Sequence, residues 1–126
     1  MKAFLVVAAV LAWLFGIMLL AAPVQFYAPM GMTLTPMLAT LAQAHGATLI
    51  GLGTVNWFGR NADGSGLRAI LVGNLATQVL SFAVAARTAS LGAGAKAAPA
   101  FVIHTTLGVL FLVFLLRSRR GAASYA

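Results

Sequence analysis

Four long apolar runs, separated by short stretches of turn-forming residues, organise this chain of 126 residues. They cover residues 3–22, 38–58, 69–86 and 99–116. A hydrocarbon core roughly 30 Å thick needs about 20 helical residues to cross it. The first two runs reach that length and the last two lie near its lower end. None shows the polar–apolar alternation of a barrel strand. Backbone groups in lipid must also be paired within their own segment. The pattern therefore predicts an all-α polytopic membrane protein, a single membrane domain made of a compact bundle of four transmembrane helices.

The connections fit that division. Residues 61–66, NADGSG, are a cluster of turn formers. Residues 88–98 are small and rich in Gly and Ala, and residues 23–37 are uncharged and carry Pro23, Pro29, Gly31 and Pro36. Thr35-Pro36 reads as an N-cap followed by proline at the first helical position. Lys2, an apolar stretch and Ala21-Ala22 resemble a secretory signal peptide. The run from Ala3 is longer than the roughly 7–15 residues of a signal core, so it is read as a retained span.

Composition moves the solvent from water to lipid. Hydrophobic residues make up 62% of the chain and charged residues 7%, where soluble domains carry about 25%. Eight Lys and Arg stand against one acid, Asp63, for a net charge of +7. With four spans, one side of the membrane holds Lys2, Arg60, Arg68, Arg117, Arg119 and Arg120, and the other holds Arg87 and Lys96. That bias predicts a bacterial inner-membrane protein with both termini cytoplasmic. The basic charge is then an orientation signal and an attraction to anionic headgroups. Nucleic acid is not an expected partner, because no folded soluble surface is there to hold it. With no cysteine, thiol catalysis, disulfides and zinc–thiolate or iron–sulfur ligation are excluded. One carboxylate cannot form a catalytic pair, and two histidines among neutral oxygens compensate a divalent metal poorly. No metal site is expected.

Close helix packing in lipid depends on small residues. Ala8, Ala12 and Gly16 in the first run supply them, as do Ala42, Gly46, Ala47, Gly51 and Gly53 in the second, Gly73 in the third and Gly108 in the fourth. Trp57 and Tyr27 fall near expected interfaces, where amphipathic rings are favoured. Trp13 lies deeper and reads as apolar bulk or packing.

Polar side chains at membrane depth carry whatever chemistry the chain has. Asn74, Thr77, Gln78 and Ser81 share one helical face of the third run. His45, Thr48 and Asn56 share a stripe on the second, and the fourth offers His104 with Thr105 and Thr106. In the four-span topology His45 and His104 both sit on the order of 10 Å below the outer boundary, and Gln78 and Ser81 arrive at a similar level. Hydrogen bonding between helices explains such a layer most simply. Thr48, Thr77 and Thr105 suit bonds back to their own helices. The sharper reading is a cofactor site made by His45, His104, Gln78 and Ser81. It would hold either a non-covalent haem on the two imidazoles or a quinone or other amphiphile beside His45 and Gln78. Thr48, Asn56, Asn74 and Thr77 would then be the surrounding polar network.

Residues 46–60, GATLIGLGTVNWFGR, resemble the second helix of small bacterial four-helix membrane proteins of the DoxX-like group. Phe26, Pro29 and Gly31 are similar to the first loop of that group. The resemblance covers about the first half of the chain. It implies the four-helix architecture and an association, in some members, with quinol oxidation or membrane redox complexes; it assigns no catalytic residue here. The residues themselves favour a non-enzymatic accessory or interaction subunit. The alternatives are a haem-, quinone- or amphiphile-binding redox module and a small oligomeric transporter component. Expected partners are membrane lipids and either further copies of the chain or a larger membrane complex.

Overall fold

A computed structural model describes residues 1–123, except for the side chains of Ala93 and of residues 119–123. Arg119 and Arg120, assigned above to the basic C-terminal end, therefore lie outside the described side chains. The described residues form helices and turns, with no strand among them. The helices are α1 (Lys2–Ala21), α2 (Pro23–Tyr27), α3 (Pro36–Phe58), α4 (Gly64–Thr88) and α5 (Ala98–Ala123). They fall into two compact units, Met1–Asn61 and Ala62–Ala126, each a helical hairpin.

In the first unit the apolar run of α1 ends where Ala22 leaves helical geometry at φ −144°, ψ 55°. Pro23 starts α2, its fixed φ suiting the first helical position. A 3₁₀ turn over Ala28–Met30 follows, closed by Gly31 at φ 69°, a left-handed conformation that glycine adopts without steric cost. The first connection is thus more ordered than its proline and glycine content suggested. Thr35 caps α3 as expected: its Oγ1 accepts from Leu38 N at 3.3 Å, with Pro36 at the first helical position.

α1 and α3 pack through small residues. A Cβ placed on Gly46 would lie 2.7 Å from Gly16 O and 2.8 Å from Leu20 N. One placed on Gly16 would lie 2.8 Å from Gly46 O. Gly53 leaves room for Trp13, whose Cδ1 would stand 2.6 Å from an added Cβ. Gly46 thus lies beside Gly16 and Leu20, and Gly53 beside Ala9 and Trp13, so the helices run antiparallel. Leu5, Ala8, Ala9 and Leu19 are buried on α1, and Ala42 and Asn56 on α3. Gly51 faces open space and Ala47 is exposed, so only part of the small-residue pattern serves this contact.

The second unit is built on a different spacing. Leu67, Leu71, Asn74, Gln78 and Ala85 are buried on α4, with Ser81 half-buried between the last two. Opposite them run Ala97, Phe101, His104, Gly108, Phe111 and Leu115, of which Ala97, Phe111 and Leu115 are buried. Both series step by alternating threes and fours, the heptad seam of paired helices. α4 starts inside the turn-forming cluster, at Gly64, earlier than residue 69; Asp63 provides the extended residue before it. α5 continues to Ala123, beyond residue 116, because Arg117 and its neighbours are good helix formers. Between the helices, Gly92 (φ 103°) and Gly94 (φ 52°) take positive φ and reverse the chain.

Among the described residues, three segments are long and apolar enough to cross a membrane: Lys2–Ala21, Gly64–Gly92 and Gly94–Ser118. The α3 helix, at 23 residues, has the length but not the hydropathy, because Gln43, His45, Thr48 and Asn56 dilute its Leu, Ile and Val. Large apolar side chains such as Leu14, Ile17, Leu80, Val84 and Val102 point away from the packed seams.

Candidate functional site

The polar contact that joins two helices in the second unit is made by Gln78 and His104. Gln78 is buried on α4, one heptad before Ala85, and His104 occupies the matching seam position on α5. Gln78 Oε1 lies 2.8 Å from His104 Nδ1. With the amide oxygen accepting, Nδ1 carries the proton and the ring's acceptor lone pair belongs to Nε2. Gly108 faces Gln78 across the seam: a Cβ on it would make ordinary contact with the Gln78 Cβ at 3.5 Å. Phe82 and Phe101 close the seam next to the pair, edge to face at 5.1 Å.

The other residues of the expected layer take varied positions. Asn74 is buried and its Nδ2 donates to Ile70 O at 2.9 Å. Thr77 Oγ1 donates to Gly73 O at 3.0 Å and Thr48 Oγ1 to Ala44 O at 3.1 Å, the back-bonding expected of them. Thr105 and Thr106 are exposed. In the first unit Asn56 is buried against the α1-facing side of α3, whereas His45 and Thr48 are exposed. The stripe of His45, Thr48 and Asn56 therefore straddles the edge of the contact face, along which Ala42, Gly46 and Gly53 lie. His45 belongs to the first unit and Gln78, Ser81 and His104 to the second.

Three polar contacts of the first unit were not foreseen. Trp13, read above as apolar bulk or packing, donates from Nε1 to Ile50 O at 3.2 Å and approaches Thr54 Oγ1 at 3.4 Å. Its indole therefore clamps α1 to α3. Gln43 Nε2 donates to Leu20 O at 3.1 Å, satisfying one of the carbonyls that a helix C-terminus leaves without a partner. Arg60 donates from Nη1 to the Trp57 carbonyl and its guanidinium lies 4.5 Å over the Trp57 ring. The three-residue separation of Trp57 and Arg60 was the available signal for that last contact.

Tyr27 sits outside the long apolar helices, its ring neighbour being Phe26 at 5.1 Å. Burial raises its phenol pKa above the usual 10.0, because desolvation disfavours the phenolate. The folded chain then holds this proton more tightly than the unfolded chain does. Its contribution to stability is complete below the unfolded pKa and is lost as pH rises through the folded one. In a Tyr125→Phe background, absorbance titration of phenolate should show Tyr27 ionising later in folded than in denatured protein. Coincident curves would contradict the burial.

Chemically, the Gln78–His104 pair can clasp two helices or orient an imidazole. With no acid besides Asp63 in the chain, it cannot feed a proton relay built on embedded carboxylates. Among the described residues no group of three His, Cys, Asp or Glu is placed to hold a metal ion. No family model, curated protein or solved structure matches the chain.

Proposed function

We propose that this chain is a multi-pass protein of the bacterial inner membrane and acts as a non-enzymatic accessory or interaction subunit. The observation carrying this reading is the division of each hairpin into two faces. Inner faces hold small residues in the first hairpin and heptad-spaced apolar residues in the second, each with bonded polar groups, and outer faces hold large exposed apolar side chains suited to lipid or to other membrane helices. α3 serves as a fourth span in this proposal: its 23 residues include no charge and reach about 35 Å. Both termini then face the cytoplasm, with Arg87 and Lys96 outside. The resemblance to the DoxX-like group supports the same four-span plan.

The absence of cysteine from the sequence makes the topology directly testable. Single cysteines at Met32 or Ala95 should react with a membrane-impermeant maleimide in intact cells. One at Asn61 should react only after permeabilisation. Labelling of Asn61 from outside would overturn the topology. Native mass spectrometry from mild detergent tests the subunit role. Defined complexes with further copies or another membrane protein are expected; a monomer that carries a stoichiometric small molecule would refute that role.

The second reading, a haem-, quinone- or amphiphile-binding redox module, draws on the Gln78–His104 bond. That bond fixes the orientation of the His104 ring between α4 and α5, as ligand-holding imidazoles are fixed by a partner. It would be supported if an amphiphile or chromophore copurified with the wild type and were lost on His104→Ala.

A further inference from the structure

One end of the first hairpin gathers cations, and the chain's one carboxylate, Asp63, follows two residues after it. Between Lys2 and Arg60 no residue is charged, and residues 1–61 contain neither Asp nor Glu. The register that sets Gly46 beside Gly16 and Gly53 beside Ala9 continues to bring Gly59–Asn61 level with the start of α1. That turn packs against α1. Lys2 and the Met1 ammonium therefore share this end with Arg60, as does the positive end of the α1 dipole.

Arg60 is seated rather than trailing. Its guanidinium rests over Trp57 and its Nη1 is fixed to the Trp57 carbonyl. Trp57 in turn packs against Trp13, the ring centroids 5.4 Å apart and the planes tilted by 42°. A guanidinium has five N–H donors in a planar fork, and the Trp57 carbonyl takes only one of the five. The others need acceptors that residues 1–61 do not supply as carboxylates. At the depth where tryptophans gather, the abundant acceptor is the phosphodiester, whose paired oxygens match the fork; in an anionic lipid no headgroup ammonium offsets its charge, so a cation favours it there.

We propose that Arg60, held on Trp57 and accompanied by Lys2, binds the phosphate of an anionic phospholipid headgroup. This rests on the reading of the chain as a membrane protein.

The test uses the full chain in vesicles of phosphatidylcholine and phosphatidylglycerol, with bromine on the acyl chains of one lipid at a time. The only two tryptophans, Trp13 and Trp57, report from this end of the hairpin. Bromine on the anionic lipid should quench them about fivefold more effectively than bromine on phosphatidylcholine, the preference that one well-placed cation confers near a surface. The preference should vanish in Arg60→Gln and survive in Arg117→Gln. Equal quenching by both lipids in the wild type overturns it while leaving the membrane reading intact. No quenching by either removes both. Loss of the preference on adding millimolar inorganic phosphate would assign the site to a free anion and overturn the lipid.

Discussion

Gly46→Ala is expected to destabilise the first hairpin by about 1–2 kcal/mol, although alanine is the better helix former. The propensity gain on replacing an interior glycine is about 1 kcal/mol. The steric term runs the other way and is larger. The new methyl would sit 2.7 Å from Gly16 O, 2.8 Å from Leu20 N and 3.0 Å from the Leu19 Cβ. Two of these are backbone atoms of a facing helix, so no side-chain rotation can relieve the clash and the helices must separate. Overpacking of this kind costs about 1–3 kcal/mol. It also opens the seam on which the Trp13 and Gln43 hydrogen bonds depend. Gly16→Ala meets Gly46 O at 2.8 Å and should behave alike. Gly51→Ala and Gly73→Ala, with nothing within 4 Å, should be neutral or stabilising by up to about 1 kcal/mol. Unfolding in mixed detergent–dodecyl sulfate micelles, followed by circular dichroism and tryptophan fluorescence, gives the four values. If Gly46→Ala tracks Gly51→Ala, the close approach of α1 and α3 is wrong.

The contrast between Gly46 and Gly51 also marks what the sequence could and could not reveal. Runs of apolar residues showed the long helices, because in lipid no other unbroken backbone conformation satisfies its own donors. The Thr35-Pro36 pair also showed where α3 begins. Other helix ends were less legible: Gly64 and Ser65 look like turn formers, yet tertiary packing of Leu67 and Leu71 carries α4 back through them. Similarly, a small-residue stripe says that helices can approach but not on which side. Gly46 and Gly51 are equivalent in sequence; only the placement of α1 distinguishes them. The polar layer divides on the same principle. Gln78 and Asn74 were legible as one face because they recur at helical spacing with Thr77 and Ser81. His45 is exposed although it shares a stripe with buried Asn56, since a narrow contact with α1 covers only part of that arc. The Trp13 hydrogen bond had no local cue, its acceptor lying on another helix.

Gln78→Leu is expected to cost about 1–2 kcal/mol, and His104→Leu about as much, whereas the double leucine variant should lie close to the wild type. The bond alone accounts for less than the single losses. Interhelical hydrogen bonds in membrane bundles average about 0.6 kcal/mol and reach about 1.7. Removing one partner adds the burden of a buried polar group without its mate, about 1–3 kcal/mol in general. Replacing both leaves an apolar seam, which is often no less stable. The double-mutant cycle should therefore show a coupling of about 1 kcal/mol or more. Coupling near zero would mean that the 2.8 Å contact is not formed in the membrane. What the pair adds is register. The seam of Leu67, Leu71, Phe111 and Leu115 is repetitive enough to slide by one heptad. A slide would bury the Gln78 amide against Ala97 or Phe111, neither of which has a side-chain acceptor or donor. A buried polar residue in a heptad seam selects alignment in this way. The native alignment that pairs residue 78 with residue 104 also sets Ala85 opposite Ala97, both buried. Cysteines introduced at those two positions into the cysteine-free chain should form a disulfide efficiently beside the native pair. In the double leucine background the yield should fall while stability does not, and an unchanged yield would show that the apolar seam alone fixes the alignment.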